Sequence, residues 1–110
     1  MAKIAFLTSS EGIESVELTD PWKAVADAGH EVGMHGYSHE NPIAMTPVQE
    51  EAIFDRCIAL IEKHWGRRPV GYIAPWWEVS ATSIEILLER GIRYDHSLMH
   101  HDCVPYYVRT

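Results

Sequence analysis

The sequence predicts an α/β fold with about four parallel strands and three helices, in a single domain that spans residues 1–110. Short apolar runs alternate with longer helical stretches, and glycine or proline marks most of the boundaries. Apolar residues make up 46% of the chain, so a hydrophobic core can form. A length of 110 residues is enough for one such core and too short for two.

The strands are expected in four short apolar segments, at residues 3–8, 32–35, 70–74 and 92–95. The first helical stretch follows a loop at residues 9–12 and ends at Ala28 and Gly29, and the segment 19–21, with Pro21, marks either its start or a kink. The third begins after Ser80, a capping residue, and stops at Gly91.

The second helix has the clearest local signals. Thr46 and Gln49 can form a capping box, Pro47 suits the first helical position, and Gly66 lies where a C-terminal glycine belongs. The apolar stripe of this helix has helical spacing, with Ile53, Cys57, Leu60 and Ile61. We therefore expect a buried thiol at Cys57.

Two strand orders fit this pattern, and both bring the carboxyl ends of the strands to one edge. We favour a flavodoxin-like open sheet with the order 2-1-3-4, because its helices cover both faces of a small sheet. The alternative is a half-barrel fragment with the strands in sequence order. An uncovered sheet edge favours self-association in either case, so a homodimer is expected.

Charge and composition exclude several partners. A formal net charge of −7 argues against nucleic acid, and no apolar run approaches the roughly 20 residues that cross a membrane. The amino terminus lacks a signal-peptide pattern, so we expect a cytoplasmic protein. Cys57 and Cys103 are too far apart in sequence to predict a zinc knuckle, and no disulfide framework is expected.

A histidine pair carries the strongest chemical signal. His35 and His39 follow the second strand at the expected functional edge, and one turn can direct both imidazoles at one metal ion. Asn41 and Pro42 then turn the chain away. Two unrelated histidines are the alternative, since this spacing alone is a weak signal.

Several segments in the second part of the chain match one family. They are residues 29–39, 66–69 with 74–77, 87–92 and 94–99, and from about Gly29 to the end the chain resembles the polysaccharide deacetylase (NodB-homology) family. The resemblance implies that His35 and His39 are metal ligands, with zinc or another divalent ion bound weakly. It also implies a substrate groove that includes Arg68, Pro75, Trp76, Asp95 and Ser97.

Two motifs of that family have no counterpart in this sequence. The family's aspartate pair after the first strand supplies a metal ligand and the general base, but residues 8–12 contain no aspartate. The family's histidine general acid would lie beyond Thr110. A catalytic zinc normally has three protein ligands and an open position for water. The candidates for the missing groups are Glu14, Asp95, His96, His100 and His101.

The first part of the chain suggests a different family. Residues 3–8, 11–19 and 28–32 resemble the opening of the PfpI-type intracellular proteases, which have a flavodoxin-like fold. This resemblance implies that Glu17 is a vestigial active-site residue; an ordinary acid in a first helical turn is the alternative. The two resemblances meet near residues 29–32 and predict a chimera with a seam there.

The missing base, third ligand and acid favour a non-catalytic, recombined and engineered α/β scaffold with an incomplete metal site. No residue is catalytic in this interpretation, and no cofactor is required. The alternative is a metal-dependent deacetylase, a hydrolase acting on N-acetylated polysaccharide or peptidoglycan. Trp76 and Trp77 then stack on sugar rings, whereas in a scaffold they only pack. Asp95 is either a ligand or the cap of a turn.

Overall fold

The computed structural model describes residues 4–6, 20–98 and 104–109, with side chains from residue 24 onward in these ranges. Its helices are α1 (Asp20–Asp27), α2 (Pro47–Trp65) and α3 (Ser83–Glu89). Its strands are β1 (Ile4–Phe6), β2 (Glu31–Gly33), β3 (Gly71–Tyr72) and β4 (Tyr94–Asp95). Single 3₁₀ turns lie at Pro42–Ala44 and Pro75–Trp77. The predicted α/β class and the three helices are confirmed.

The strands form two short parallel ladders. β1 pairs with β2 and β3 pairs with β4, and one isolated parallel bridge between Met34 and Tyr72 joins the two ladders. At this bridge Met34 N–H donates to the Gly71 carbonyl over 2.9 Å, and Ile73 N–H donates to the Met34 carbonyl over 3.0 Å. One continuous four-stranded sheet is not confirmed among the described residues.

The favoured strand order 2-1-3-4 is wrong, because it requires β1 beside β3. The bridge places β2 beside β3, so the neighbours follow sequence order, as in the half-barrel alternative. The preference for 2-1-3-4 assumed that a small chain must cover both faces of its sheet, whereas the backbone hydrogen bonds place each strand beside its predecessor.

Helix α2 forms as its local signals predict. The Thr46 hydroxyl accepts the N–H of Gln49 over 3.3 Å, and the Gln49 side chain accepts the N–H of Thr46 over 2.9 Å. Gly66 ends the helix with a left-handed φ of 79°. The buried stripe is rotated relative to the predicted one, since Ile53 and Leu60 are only half-buried. Its buried apolar members are Phe54, Cys57, Ile58 and Ile61.

The core lies between α2, α3 and the strands. The strand segments contribute Val32, Met34, Tyr72 and Ala74, and α3 contributes Ile86 and Leu87. Among the described residues, none of the helices combines the length and the hydrophobicity that crossing a bilayer requires.

Replacement of Tyr72 by phenylalanine is expected to leave stability unchanged or raise it by up to about 1 kcal/mol. The Tyr72 ring is fully buried against Phe54, and its hydroxyl has no hydrogen-bond partner within the part of the chain that the structure describes. Burial, with the nearby carboxylates of Glu50 and Asp95, raises the pKa of Tyr72 and keeps the hydroxyl neutral. Urea denaturation of Tyr72→Phe measures the effect.

Tyr94 is the matched control, because its hydroxyl donates to the carboxylate of Glu31. Tyr94→Phe is therefore expected to lower the free energy of unfolding by about 1 kcal/mol. A clear loss of stability in Tyr72→Phe would contradict the prediction, since it would mean that the Tyr72 hydroxyl is paired.

Candidate functional site

Most of the predicted site residues lie near the carboxyl ends of three strands. His35 lies just beyond β2, the Pro75–Trp77 turn lies just beyond β3, and Ser97 lies just beyond β4. Because the strands are parallel, these ends share one edge of the sheet. The sequence order and the strand direction together explain why distant residues come close here.

His35 and His39 face each other at this edge. Their ring centroids are 5.0 Å apart and the rings are inclined by 72°. His39 also packs edge-on against Trp76, with 5.3 Å between the ring centroids. The structure therefore brings together both predicted metal ligands and one predicted groove residue.

The tautomer of His35 follows from a single hydrogen bond. Its Nδ1 lies 2.9 Å from the carbonyl oxygen of Ile73. A carbonyl oxygen can only accept, so Nδ1 carries the proton, and in a neutral imidazole Nε2 then carries the lone pair. Metal-binding histidines typically use their second ring nitrogen in this way, so the chemistry of His35 fits a ligand.

The loop between the two histidines is closed by Glu40. Its carboxylate accepts the N–H of Tyr37 over 2.9 Å, and the N–H and hydroxyl of Ser38 over 2.6 and 2.9 Å. Burial raises the pKa of Glu40, but the N–H groups of Tyr37, Ser38 and Glu40 itself outweigh it and hold this pKa below its usual value. Sequence reasoning missed Glu40, although an acid directly after the second histidine was a readable signal.

The turn after β3 has unusual backbone geometry. Trp76 and Trp77 have φ values of 63° and 56°, in the left-handed region that non-glycine residues rarely adopt. These two residues are 66% and 61% exposed, whereas Pro75 is buried. These two indoles are therefore not part of the hydrophobic core. Such strain costs of order 1–3 kcal/mol for each residue and is concentrated at functional sites.

Asp95 and Ser97 tie the end of β4 to the end of β3. The buried Ser97 hydroxyl accepts the N–H of Ala74 and donates to Asp95 Oδ1, each over 2.6 Å. Asp95 Oδ2 accepts the N–H groups of Ser97 and Leu98 over 2.9 and 3.1 Å. Asp95 therefore caps a turn, as one of its two interpretations predicted, and Ser97 supports the Pro75–Trp77 turn.

A third metal ligand is not found among the described residues, where no three His, Cys, Asp or Glu side chains are grouped to hold an ion. His96 packs edge-on against Tyr94 and does not join the histidine pair in such a group. The remaining candidates, Glu14, His100 and His101, lie outside the described residues, and so does Glu17, the predicted vestigial residue.

Arg68 lies away from this edge. Its guanidinium donates to the carbonyl of Arg90 over 2.9 and 3.3 Å and contacts the Glu62 carboxylate at 3.3 Å. It therefore joins the carboxyl-terminal ends of α2 and α3. The reason is topological: Arg68 precedes β3, whereas the other predicted groove residues lie at or beyond the carboxyl ends of strands.

The fold and the histidine pair define an α/β domain with paired imidazoles at the carboxyl edge of its parallel strands. The family model described as polysaccharide deacetylase matches residues 2–94. The chain therefore belongs to the polysaccharide deacetylase family. This confirms the resemblance predicted for the second part of the chain and extends it to the first part.

Two curated relatives are similar over almost the whole chain. A peptidoglycan deacetylase of Helicobacter pylori is 54% identical over 101 residues, which cover 92% of this chain and 34% of that protein. A peptidoglycan deacetylase-like protein of Gibberella zeae is 37% identical over 106 residues, 96% of this chain and 31% of that protein. The chain thus spans about a third of the length of these relatives.

Two solved structures are similar in fold. A Mycobacterium smegmatis protein described as a polysaccharide deacetylase has a TM-score of 0.75 and 35% identity, covering 83% of this chain and 31% of its own. A family 4 carbohydrate esterase from Streptomyces lividans, solved with acetate, has a TM-score of 0.67 and 22% identity, covering 82% and 46%. The second likeness supports the fold alone.

These similarities correct two predictions. The family match begins at residue 2 and runs through residues 29–32, so the comparisons give no support to a PfpI-type segment or a chimera. The prediction of a non-catalytic engineered scaffold is wrong, because the relatives are peptidoglycan and polysaccharide deacetylases. The error came from weighing missing motifs in a chain that spans only a third of its relatives.

Proposed function

We propose that this chain forms part of a metal-dependent deacetylase that removes acetyl groups from peptidoglycan or a related N-acetylated polysaccharide. The supporting observation is the histidine pair: His35 and His39 lie with ring centroids 5.0 Å apart, and the Nδ1 of His35 is already committed to the Ile73 carbonyl. The names of the similar proteins support the substrate class.

The two histidines would hold a divalent ion such as zinc through imidazole nitrogens, which suit that metal. A bound ion supplies Lewis acidity toward the acetamide carbonyl. The hydrogen bond from Nδ1 to the Ile73 carbonyl orients the His35 ring and leaves Nε2 for the metal ion. We propose that the third ligand and the proton-transfer groups come from outside the described residues.

The exposed indoles of Trp76 and Trp77 suit the apolar face of a sugar ring. Ser97 and Asp95 hold the turn that carries them, through the N–H of Ala74, and therefore support the groove indirectly. The contacts of Arg68 favour a structural role for that residue. The homodimer, the cytoplasmic location and the lack of a nucleic-acid partner stay predictions.

Zinc binding by His35→Ala and His39→Ala tests the proposed function. We expect the native chain to bind one zinc ion and each variant to lose at least about 100-fold in affinity, because each removes a ligand outright. Isothermal titration calorimetry measures the affinity. His64→Ala is the matched control, since His64 lies in the last turn of α2 and is expected to leave zinc binding unchanged.

Acetate release from an N-acetylglucosamine oligomer, with and without zinc, tests the reaction itself. Zinc-dependent release that both ligand variants lose is the expected result. A native chain without zinc affinity, or variants that keep it, would overturn the assignment of the metal site.

A further inference from the structure

We infer that Glu40 is a positioning residue that holds His39 in the geometry needed to share a metal ion with His35. The role of Glu40 in metal binding rests on the proposed function. Its effect on the position of His39 does not, because that effect is present in the metal-free chain. The four-residue spacing of the histidines allows the two rings to approach each other. The hydrogen bonds that Glu40 accepts restrict the loop to one conformation, in which the rings do so.

The carboxylate of Glu40 closes a small ring of chain around His39. Its Oε2 accepts the N–H of Ser38 over 2.6 Å. The backbone of His39 therefore lies between two residues, Ser38 and Glu40, that are joined by a hydrogen bond. Its Oε1 accepts the N–H of Tyr37 over 2.9 Å, which holds the preceding peptide as well. Successive N–H groups converging on one anion form a compact and directional arrangement.

The backbone of His39 needs such support. Its φ of 59° lies in the left-handed region, which costs of order 1–3 kcal/mol for a non-glycine residue and persists only when its surroundings determine it. In this backbone conformation the His39 ring lies 5.0 Å from the ring of His35 and 5.3 Å from that of Trp76. An extended His39 would point its side chain elsewhere.

Gly36 leaves space for the carboxylate. A Cβ at this position would lie 2.8 Å from Glu40 Oε1 and 2.9 Å from the Cγ of Pro75. The Glu40 side chain therefore packs in the interior of the loop, close to the turn that carries Trp76. A solvent-facing acid would not approach the backbone of Gly36 in this way.

Nuclear Overhauser contacts in the metal-free chain test the inference directly. We expect a contact between the rings of His39 and Trp76 in the native chain, and its loss in Glu40→Gln and Glu40→Ala. The contact between Phe54 and Tyr72, 5.3 Å apart in the core, serves as an internal control and is expected to persist. Glu85→Gln removes the same charge at an exposed position and is expected to change neither contact.

A double-mutant cycle for zinc affinity gives the second measurement. Glu40→Gln is expected to weaken zinc binding about 10–100-fold in the native background, the usual effect of losing a residue that orients a ligand. The same change is expected to have no effect in the His39→Ala background, because the residue it positions is gone. A purely structural role would give equal losses in both backgrounds.

The outcomes separate the two proposals. Persistence of the His39–Trp76 contact in Glu40→Ala, or loss of both ring contacts in Glu40→Gln, would overturn the positioning role. A native chain that binds no zinc would overturn the proposed function, while the nuclear Overhauser comparison would still decide whether Glu40 positions His39.

Discussion

Replacing Gly36 with alanine is expected to lower the free energy of unfolding by about 2–4 kcal/mol, from a strained backbone and an overfilled loop. Gly36 has a left-handed φ of 73°. A Cβ there would lie 2.8 Å from Glu40 Oε1 and 2.9 Å from Pro75 Cγ. The Pro75 ring is buried and cannot move aside easily, so the new methyl group must displace the loop or the turn.

Gly66 provides a matched control for this change. Its φ of 79° is as unfavourable for alanine, but a Cβ there would meet no atom within 4 Å. Gly66→Ala is therefore expected to cost only the backbone part, about 1 kcal/mol. Urea denaturation of both variants separates the packing contribution from the backbone contribution. Equal losses in the two variants would show that the space around Gly36 is not restricted.

The same pair of variants also reports on the histidine site. Displacing Glu40 or Pro75 disturbs the neighbours of His39 on both sides, so Gly36→Ala is expected to weaken zinc binding by at least about 10-fold. Gly66 lies at the far end of α2, and its variant is expected to bind zinc as the native chain does. Undiminished affinity in Gly36→Ala would separate the loop from the metal site.

The features that the sequence predicts best are those whose local structure is determined by a few residues that are close in sequence. The capping box of Thr46 and Gln49 and the final Gly66 depend only on their own helix, and all three behave as predicted. The placing of His35 at the carboxyl edge needed only the direction of the strands. The approach of His35 to His39 follows from their spacing and from a turn between them.

Features that depend on contacts distant in sequence were not predictable in this way. The strand order is determined by the bridge of Met34 to Tyr72, and no local pattern specifies that pairing. The exposed, left-handed Trp76 also depends on a turn that Ser97 supports from another strand. Arg68 is different, because its position before β3 already argued against a place at the functional edge.

Glu50 is a buried acid on the apolar face of α2, and a search for apolar residues at helical spacing does not detect it. It lies on the buried face of α2, four residues before Phe54 and seven before Cys57, and it is fully buried. Its carboxylate accepts hydroxyl hydrogen bonds from Ser80 over 2.7 Å, from Thr82 over 3.2 Å, and from Ser83. The first turn of α2 is thereby bonded to the start of α3.

Glu50→Ala is expected to lower the free energy of unfolding by about 2–4 kcal/mol, because three hydroxyls lose their shared acceptor and a cavity forms. Urea denaturation measures this loss. Glu51→Ala is the control from the same turn: Glu51 is half exposed and contacts Arg90 at 3.3 Å, a surface ion pair worth about 0–1 kcal/mol. A Glu50→Ala loss no larger than that of Glu51→Ala would contradict the prediction.

Glu50→Gln distinguishes hydrogen bonding from charge. A glutamine fills the same space and can both accept from and donate to the hydroxyls of Ser80, Thr82 and Ser83, since a hydroxyl takes either role. If the hydrogen bonds themselves stabilise the network, whatever the charge of the acceptor, Glu50→Gln is expected to retain most of the free energy of unfolding that Glu50→Ala loses. If the carboxylate charge is the main contribution, the two variants are expected to lose similar amounts, because charged acceptors form the stronger bonds.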